Sequence, residues 1–371
     1  MRSGQRRRRG AMGLPSRVVA VAVLAGVAAT AAAAAAAAAT AARAPAHRGP
    51  LSSVSGRIAA GNSKTSCIYG PWGSNGWSSS ASAVSSVLAT ITAQTGVTYH
   101  CIETFSDADP QWSDWVSPWV TRAAYGFAAW LAQDPGRRTV VLTQNLIPDS
   151  EANVADPLTW EQPCAAGAFD SYATQLARNL VATGFGSSVI RLGHEMNGTW
   201  YNDDTGSTLQ EQHAWAHCFA REVTAMRAVP GSHLRFDWNV NACYQSVPLA
   251  NYYPGDRYVD IVGVDQYDGL CDGTKATPSA ATFRALVDQP SATSFASVAA
   301  FAAAHGKPLS IPEWGLRGLG DDPYFVSGIA SFVATHDVAY QSYFDNGDQG
   351  VLQLGPTTPL ATAAYRRGAG A

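Results

Sequence analysis

Charge is scarce in this sequence: Asp, Glu, Lys and Arg together make up 14% of its 371 residues, against about a quarter in an ordinary globular chain. The positive charge is also unevenly placed. Residues 1–44 hold seven arginines and no acid, so the remainder carries 18 basic against 28 acidic residues, a net of −10. A surface of that sign excludes nucleic acid and other polyanions as expected partners. No C-x-x-C pair occurs, which argues against a zinc ribbon or a dithiol redox centre. No glycine-rich turn follows an early strand-like run, so the phosphate cradle of an open, doubly wound sheet is missing. His194-Glu195 begins an H-E-x-x-H pattern, but position 198 is Gly198, so the two-histidine zinc site of a metalloprotease cannot form. On these grounds no metal and no cofactor is expected.

The chain opens with a recognisable export pattern. Basic residues 6–9 precede an apolar run at 18–27, and an alanine-rich stretch leads to small-residue positions such as Ala42-Arg43-Ala44. This is the layout of a secretory signal over residues 1–44, removed on export to leave a secreted protein. The uncharged run 18–42 is long enough to span a bilayer, so a retained membrane anchor is the rival; the weak apolarity of alanine favours cleavage and no later membrane attachment. Residues 45–62 read as a loose lead-in and 63–371 as one domain, expected as a monomer, with a tail that frays from Tyr365. Six cysteines, at 67, 101, 164, 218, 243 and 271, all lie in the exported portion. An even number in an oxidising compartment implies three disulfides. Of the fifteen pairings, the sequential one (Cys67–Cys101, Cys164–Cys218, Cys243–Cys271) is expected because it joins neighbouring elements.

Strand-like runs rich in β-branched and aromatic residues occur at 66–70, 97–105, 138–147, 188–195, 234–241, 258–267, 308–313 and 338–344. Amphipathic helical stretches lie between them, among them 80–94, 118–131, 169–183, 210–228 and 291–305. Eight alternations of strand and helix predict a parallel sheet closed on itself, a single (β/α)8 TIM barrel following the N-terminal signal segment.

In such a barrel, functional residues collect at the C-terminal ends of the strands. Glu195 ends the fourth predicted strand, in Arg-Leu-Gly-His-Glu-Met-Asn-Gly-Thr-Trp-Tyr, and Glu313 ends the seventh, in Leu-Ser-Ile-Pro-Glu-Trp-Gly. Strands four and seven lie across the barrel mouth, so the two carboxyls are expected to face each other. Opposed carboxyls break a glycosidic bond when one protonates the leaving oxygen and the other attacks the anomeric carbon or activates water. The run Gly193-His194-Glu195-Met196-Asn197-Gly198-Thr199-Trp200-Tyr201 resembles the signature of family 26 glycoside hydrolases, a family of retaining barrel glycosidases best known for mannan cleavage. The resemblance implies Glu195 as acid/base, Glu313 as nucleophile, and Tyr267 as the tyrosine that hydrogen-bonds the nucleophile. It departs from the clan's pattern at strand eight, where Gln341-Ser342-Tyr343-Phe344-Asp345-Asn346 lacks the usual tryptophan; Tyr343, Phe344 or Trp314 is left to fill that space.

Further candidates follow from residue type. Trp200 is the leading stacking platform for a sugar face, and His194 is placed to bind a sugar hydroxyl or to orient Glu195. Trp72, Trp77 and Trp238 are possible subsite walls. Trp112, Trp115 and Trp119 share one face if helical, which reads as core. Asn239, Asn241 and Asp265 either bind hydroxyls or tie loops together. Arg191 is expected as a structural partner inside the barrel, and a catalytic carboxylate locked to an arginine would count against the scheme. The Asn197-Gly198-Thr199 sequon is discounted because it lies beside the site. The expected activity is retaining cleavage of a β-linked neutral polysaccharide, with β-1,4-mannan first. Mixed-linkage β-glucan or β-xylan is second, and a non-catalytic carbohydrate-binding barrel is the alternative from another class.

Overall fold

A computed structural model describes residues 65–71, 81–106, 110–244, 247–269, 271, 276–347 and 349–369. The expected signal, the lead-in, Trp72 and Trp77 lie outside these residues. Eight strands run in order around a closed barrel: β1 (Thr65–Tyr69), β2 (Cys101–Phe105), β3 (Thr139–Gln144), β4 (Val189–Leu192), β5 (Arg235–Asn241), β6 (Ile261–Tyr267), β7 (Leu309–Gly315) and β8 (Val338–Phe344). Every neighbouring pair is parallel, and β8 pairs back onto β1. The helices are α1 (Ala81–Thr95), α2 (Trp112–Trp115), α3 (Phe127–Gln133), α4 (Leu158–Ala165), α5 (Asp170–Ala182), α6 (Leu209–Arg227), α7 (Ala280–Val287), α8 (Phe295–Ala304), α9 (Pro323–Thr335) and α10 (Pro359–Ala369).

Strand side chains alternate between the two faces of the sheet. The outward set, including Ile68, Ile102, Val140, Leu142, Ile190, Phe236, Trp238, Val262 and Ile311, packs with the helices in one continuous core. Burying each such side chain contributes about 1.5–3 kcal/mol. The inward set is layered. Cys67, Cys101, Val141, Val189, Ile261 and Tyr340 form an apolar floor, crossed by the Cys67–Cys101 disulfide. Above it lie the buried polar residues Glu103, Thr143, Arg191, Asp237, Ser310 and Ser342. A packed interior of this kind leaves only the mouth for a ligand. The other two disulfides, Cys164–Cys218 and Cys243–Cys271, also follow the sequential pairing.

Local chemistry sets where elements start and stop. The Thr208 hydroxyl accepts from the Glu211 amide at 3.2 Å while Glu211 accepts from the Thr208 amide at 2.7 Å, a capping box that fixes the start of α6. The helix expected over 118–131 is broken: Arg122 is extended at ψ 135°, Gly126 sits at φ 75°, and only α3 remains helical beyond them. The single face expected for Trp112, Trp115 and Trp119 is lost as well, because α2 ends at Trp115 and Pro118, at ψ 139°, starts a separate short turn at Trp119. Trp115 is core, but Trp112 stacks on Tyr172 at 4.0 Å and the Trp119 indole donates to the Phe105 carbonyl at 2.7 Å. Residues 97–100 and 258–260, expected in strands, precede β2 and β6 as irregular chain. The C-terminal tail does not fray at Tyr365: that residue is buried, and its hydroxyl pairs with Tyr99 at 3.2 Å.

Candidate active site

β4 stops at Leu192, three residues before Glu195. Gly193 takes φ 56°, and a Cβ there would meet the Trp215 ring at 2.7 Å. Glu195 follows at φ 49°, a left-handed conformation that few non-glycine residues adopt. The backbone therefore turns sharply off the strand. The Glu195 amide is held by the Asn239 side-chain oxygen at 3.1 Å. Its carboxyl accepts from the Trp200 indole at 2.8 Å through Oε2 and from the Asn241 amide at 2.6 Å through Oε1. Trp200 reaches back only because Gly198 has no Cβ, which would lie 2.6 Å from the indole. Asn197 is buried and exchanges two 2.8 Å bonds with the Asn241 backbone, so the sequon asparagine is a brace between loops.

Glu313 lies on β7, with its amide donating to Asp265 Oδ1 at 2.8 Å. Oε2 accepts from the Tyr267 hydroxyl at 2.8 Å, and Oε1 accepts from Arg191 at 2.5 Å. The arginine contact is the one held against the scheme at the sequence level. The fully buried guanidinium is shared, however: it also bonds Asp265, contacts Glu103 at 3.4 Å, and donates to Asn239 at 2.8 Å. Glu313 keeps its carboxyl at the mouth, 6% exposed like Glu195. Both of its oxygens have protein donors.

An oxygen each from Glu195, Asp265 and Glu313 lies within 4.8 Å of the others. Three carboxylates so close invite a cation, but Arg191 already supplies one, and all three groups are engaged by protein donors. The cluster Cys164, Cys218 and Glu222 offers no thiolate, because its sulfurs are joined in a disulfide. Burial first, and the Glu313 charge second, push the Glu195 carboxyl up to about 7. Burial and the Arg191 charge hold His194 well below the usual histidine range, so its ring is neutral, with one nitrogen a donor and the other an acceptor.

The remaining expected residues fall into place around this pair. His194 is buried, with its ring 4.1 Å from Tyr201 and 5.6 Å from Phe105, and neither nitrogen bonds to a described residue. Trp200 is 45% exposed and meets Tyr244 edge-on at 4.7 Å, forming an aromatic corner beside Glu195. Trp238 is no subsite wall: it is fully buried and donates to the Tyr252 carbonyl at 3.2 Å. At the end of β8, Phe344 contacts Tyr69 at 4.7 Å and lies 6.3 Å from Tyr267. Trp314 and Tyr343 are buried against Tyr365, which leaves Phe344 at the place of the missing tryptophan. Asn239, Asn241 and Asp265 hold the two glutamates. Sequence reasoning missed the contact of Arg191 with Glu313, the buried Glu103 beneath it, and Tyr201.

Residues 57–318 match the family described as glycosyl hydrolase family 26. Endoglucanase H of Acetivibrio thermocellus is 25% identical over 212 residues, which are 55% of this chain and 22% of that protein. Among solved structures, a double mutant of the Cellulomonas fimi endo-β-1,4-mannanase superposes with a TM-score of 0.54 at 17% identity, covering 75% of this chain and 65% of that one. The Bacillus subtilis mannanase BCman gives 0.52 at 15% identity, covering 82% and 86%. At these identities the structural likeness carries the fold alone. The chain spans 22% of endoglucanase H and just under two thirds of the C. fimi protein.

Proposed function

Because the chain belongs to glycosyl hydrolase family 26, we propose that it hydrolyses a β-linked neutral polysaccharide by double displacement, with β-1,4-mannan the first substrate. The observation that carries this reading is the pair Glu195 and Glu313, facing each other with oxygens within 4.8 Å. Retaining glycosidases hold their carboxyls about 5–5.5 Å apart, whereas inversion needs about 6.5–9.5 Å to admit a water. In the first step Glu313 attacks the anomeric carbon, and Glu195 protonates the leaving oxygen as the glycosidic bond breaks. With Glu313 esterified, its charge is gone and Glu195 is free to act as base. It then takes a proton from the incoming water, whose oxygen attacks the same carbon and releases Glu313.

Trp200, on the Glu195 side, is the stacking surface for a sugar face, His194 binds a hydroxyl, and Tyr267 orients the nucleophile. One observation favours β-glucan as the second substrate: the relative named endoglucanase H. Three disulfides fit an oxidising, extracellular setting, and no helix among the described residues is long and apolar enough to cross a membrane. The test is incubation of purified protein with mannan, mixed-linkage glucan and xylan, with products sized. Oligosaccharide release by the parent, abolished in Glu313→Ala and cut more than about a thousandfold in Glu195→Gln on unactivated polymer, is expected. Affinity without release would favour a non-catalytic barrel instead.

A further inference from the structure

The Cys243–Cys271 disulfide lies at the barrel mouth, where it joins the chain just beyond β5 to the chain just beyond β6. Each side of it leads to one glutamate of the pair. On the β5 side, the Cys243 amide donates to Asn241 Oδ1 at 2.9 Å. With that oxygen engaged, the Asn241 side-chain nitrogen is turned toward Glu195 and donates to Oε1 at 2.6 Å. On the β6 side, Cys271 follows shortly after Tyr267, whose hydroxyl donates to Glu313 Oε2 at 2.8 Å. The Gln266 side-chain amide spans the two sides, donating to Cys243 Sγ at 3.5 Å and to the Tyr267 carbonyl at 2.9 Å. The other two disulfides differ in place and access. Cys67, Cys101, Cys164 and Cys218 are each at most 1% exposed, whereas Cys243 and Cys271 are half-buried.

On the strength of the hydrolase reading, we propose that Cys243–Cys271 is a positioning link, which aligns the donor to the acid/base and the donor to the nucleophile across the mouth. It acts through Asn241, Gln266 and Tyr267. Displacing a reacting group by an ångström can cost about a hundredfold in rate, so a covalent tie between the two loop starts that carry these donors bears on turnover as well as on stability. The same tie makes the site responsive to reductant, because thiol–disulfide exchange requires that the attacking thiolate reach a sulfur.

Cys243→Ser/Cys271→Ser tests this, since serine keeps the shape of cysteine and removes the cross-link. On the polymer that the parent cleaves best, kcat should fall about tenfold or more. The alkaline limb of kcat/KM should move to higher pH, because Asn241 then ceases to favour ionised Glu195. A cross-link that only stabilises lowers the unfolding midpoint and leaves that limb in place, as Cys164→Ala/Cys218→Ala should. A folded variant with kcat within about twofold of the parent, or with an unmoved limb, overturns the proposal. The parent itself supplies a second reading that needs no variant to fold. Mild dithiothreitol should open Cys243–Cys271 alone, as mapped by alkylation and mass spectrometry, with kcat falling by the same factor and returning on reoxidation. Opening of that pair with the rate retained overturns the proposal as well. A parent that cleaves none of the polymers removes the hydrolase reading by itself. The link is then read from the pH at which Glu195 titrates, followed by carboxyl-carbon NMR with Glu195→Gln as the blank. A rise in the double serine variant supports the link, and an unchanged value sinks it.

Discussion

Under the proposed mechanism, Glu195 sets the pH response of the site. Its carboxyl titrates at about 7 because burial and the facing Glu313 charge both disfavour the ionised form. Below that pH the acid carries the proton it must donate, and above it the proton is lost, so kcat/KM on natural polymer should fall as pH rises through about 7. Trp200 and Asn241 donate to the ionised form and pull the other way. Trp200→Phe removes one of those donors, so its alkaline limb should move to higher pH. A pH–rate profile on both proteins checks this, and a limb that stays fixed or moves down contradicts it. The two glutamates were legible in sequence because each sits in a Gly/Trp-rich motif at a strand ordinal that faces the other. The partners that tune them were not. Arg191, Asn239 and Asp265 meet only because alternate residues of β4, β5 and β6 point into one closed cylinder, and no local pattern announces which inward residue lies opposite which. Tyr201 was visible within the motif, but nothing in the sequence marks its ring as packing on His194.

At the scale of elements, the α4–α6 connection is the clearest target. Cys164 and Cys218 join two outer helices across 54 residues. A cross-link closing a loop of that size stabilises by about 4 kcal/mol in the chain-entropy view, with about 2–4 kcal/mol common in practice. Cys164→Ala/Cys218→Ala should therefore unfold at lower denaturant by an amount in that range, with kcat on polymer retained at 25 °C, since neither helix contributes a residue to the carboxylate site. A double variant as stable as the parent would show that packing of Trp160, Trp215 and Phe219 already fixes these helices. Strand order and sequential cysteine pairing were readable because each run of β-branched residues neighbours the next in space. Boundaries were less so. The end of β4 was misplaced because Gly193 breaks the strand through a backbone turn rather than a change in hydrophobicity. The helix expected at 118–131 fails because Gly126 and extended Arg122 interrupt an apolar spacing that otherwise looks continuous.

For the whole molecule, the barrel divides its interior by height. A disulfide and apolar side chains close the floor, a buried layer with Arg191 at its centre sits above, and the two glutamates occupy the mouth. Stability from the floor and outer core holds the geometry that the mouth needs, and the charge layer couples one to the other through Glu103, Arg191 and Glu313. The fold was therefore more legible than the substrate. The eightfold alternation is spread along the whole chain, whereas a sugar preference is set by a few side chains and loops at a barrel mouth, and no period encodes those.

The central claim is that Glu313 becomes covalently bonded to the sugar during turnover. Incubating the protein with a 2-deoxy-2-fluoro-β-mannosyl fluoride, or the glucosyl counterpart if glucan is the better polymer, should trap that ester. Peptide mapping by mass spectrometry should then place the added sugar on Glu313. An adduct on any other residue, or turnover of polymer that releases the inverted anomer first, would contradict the account.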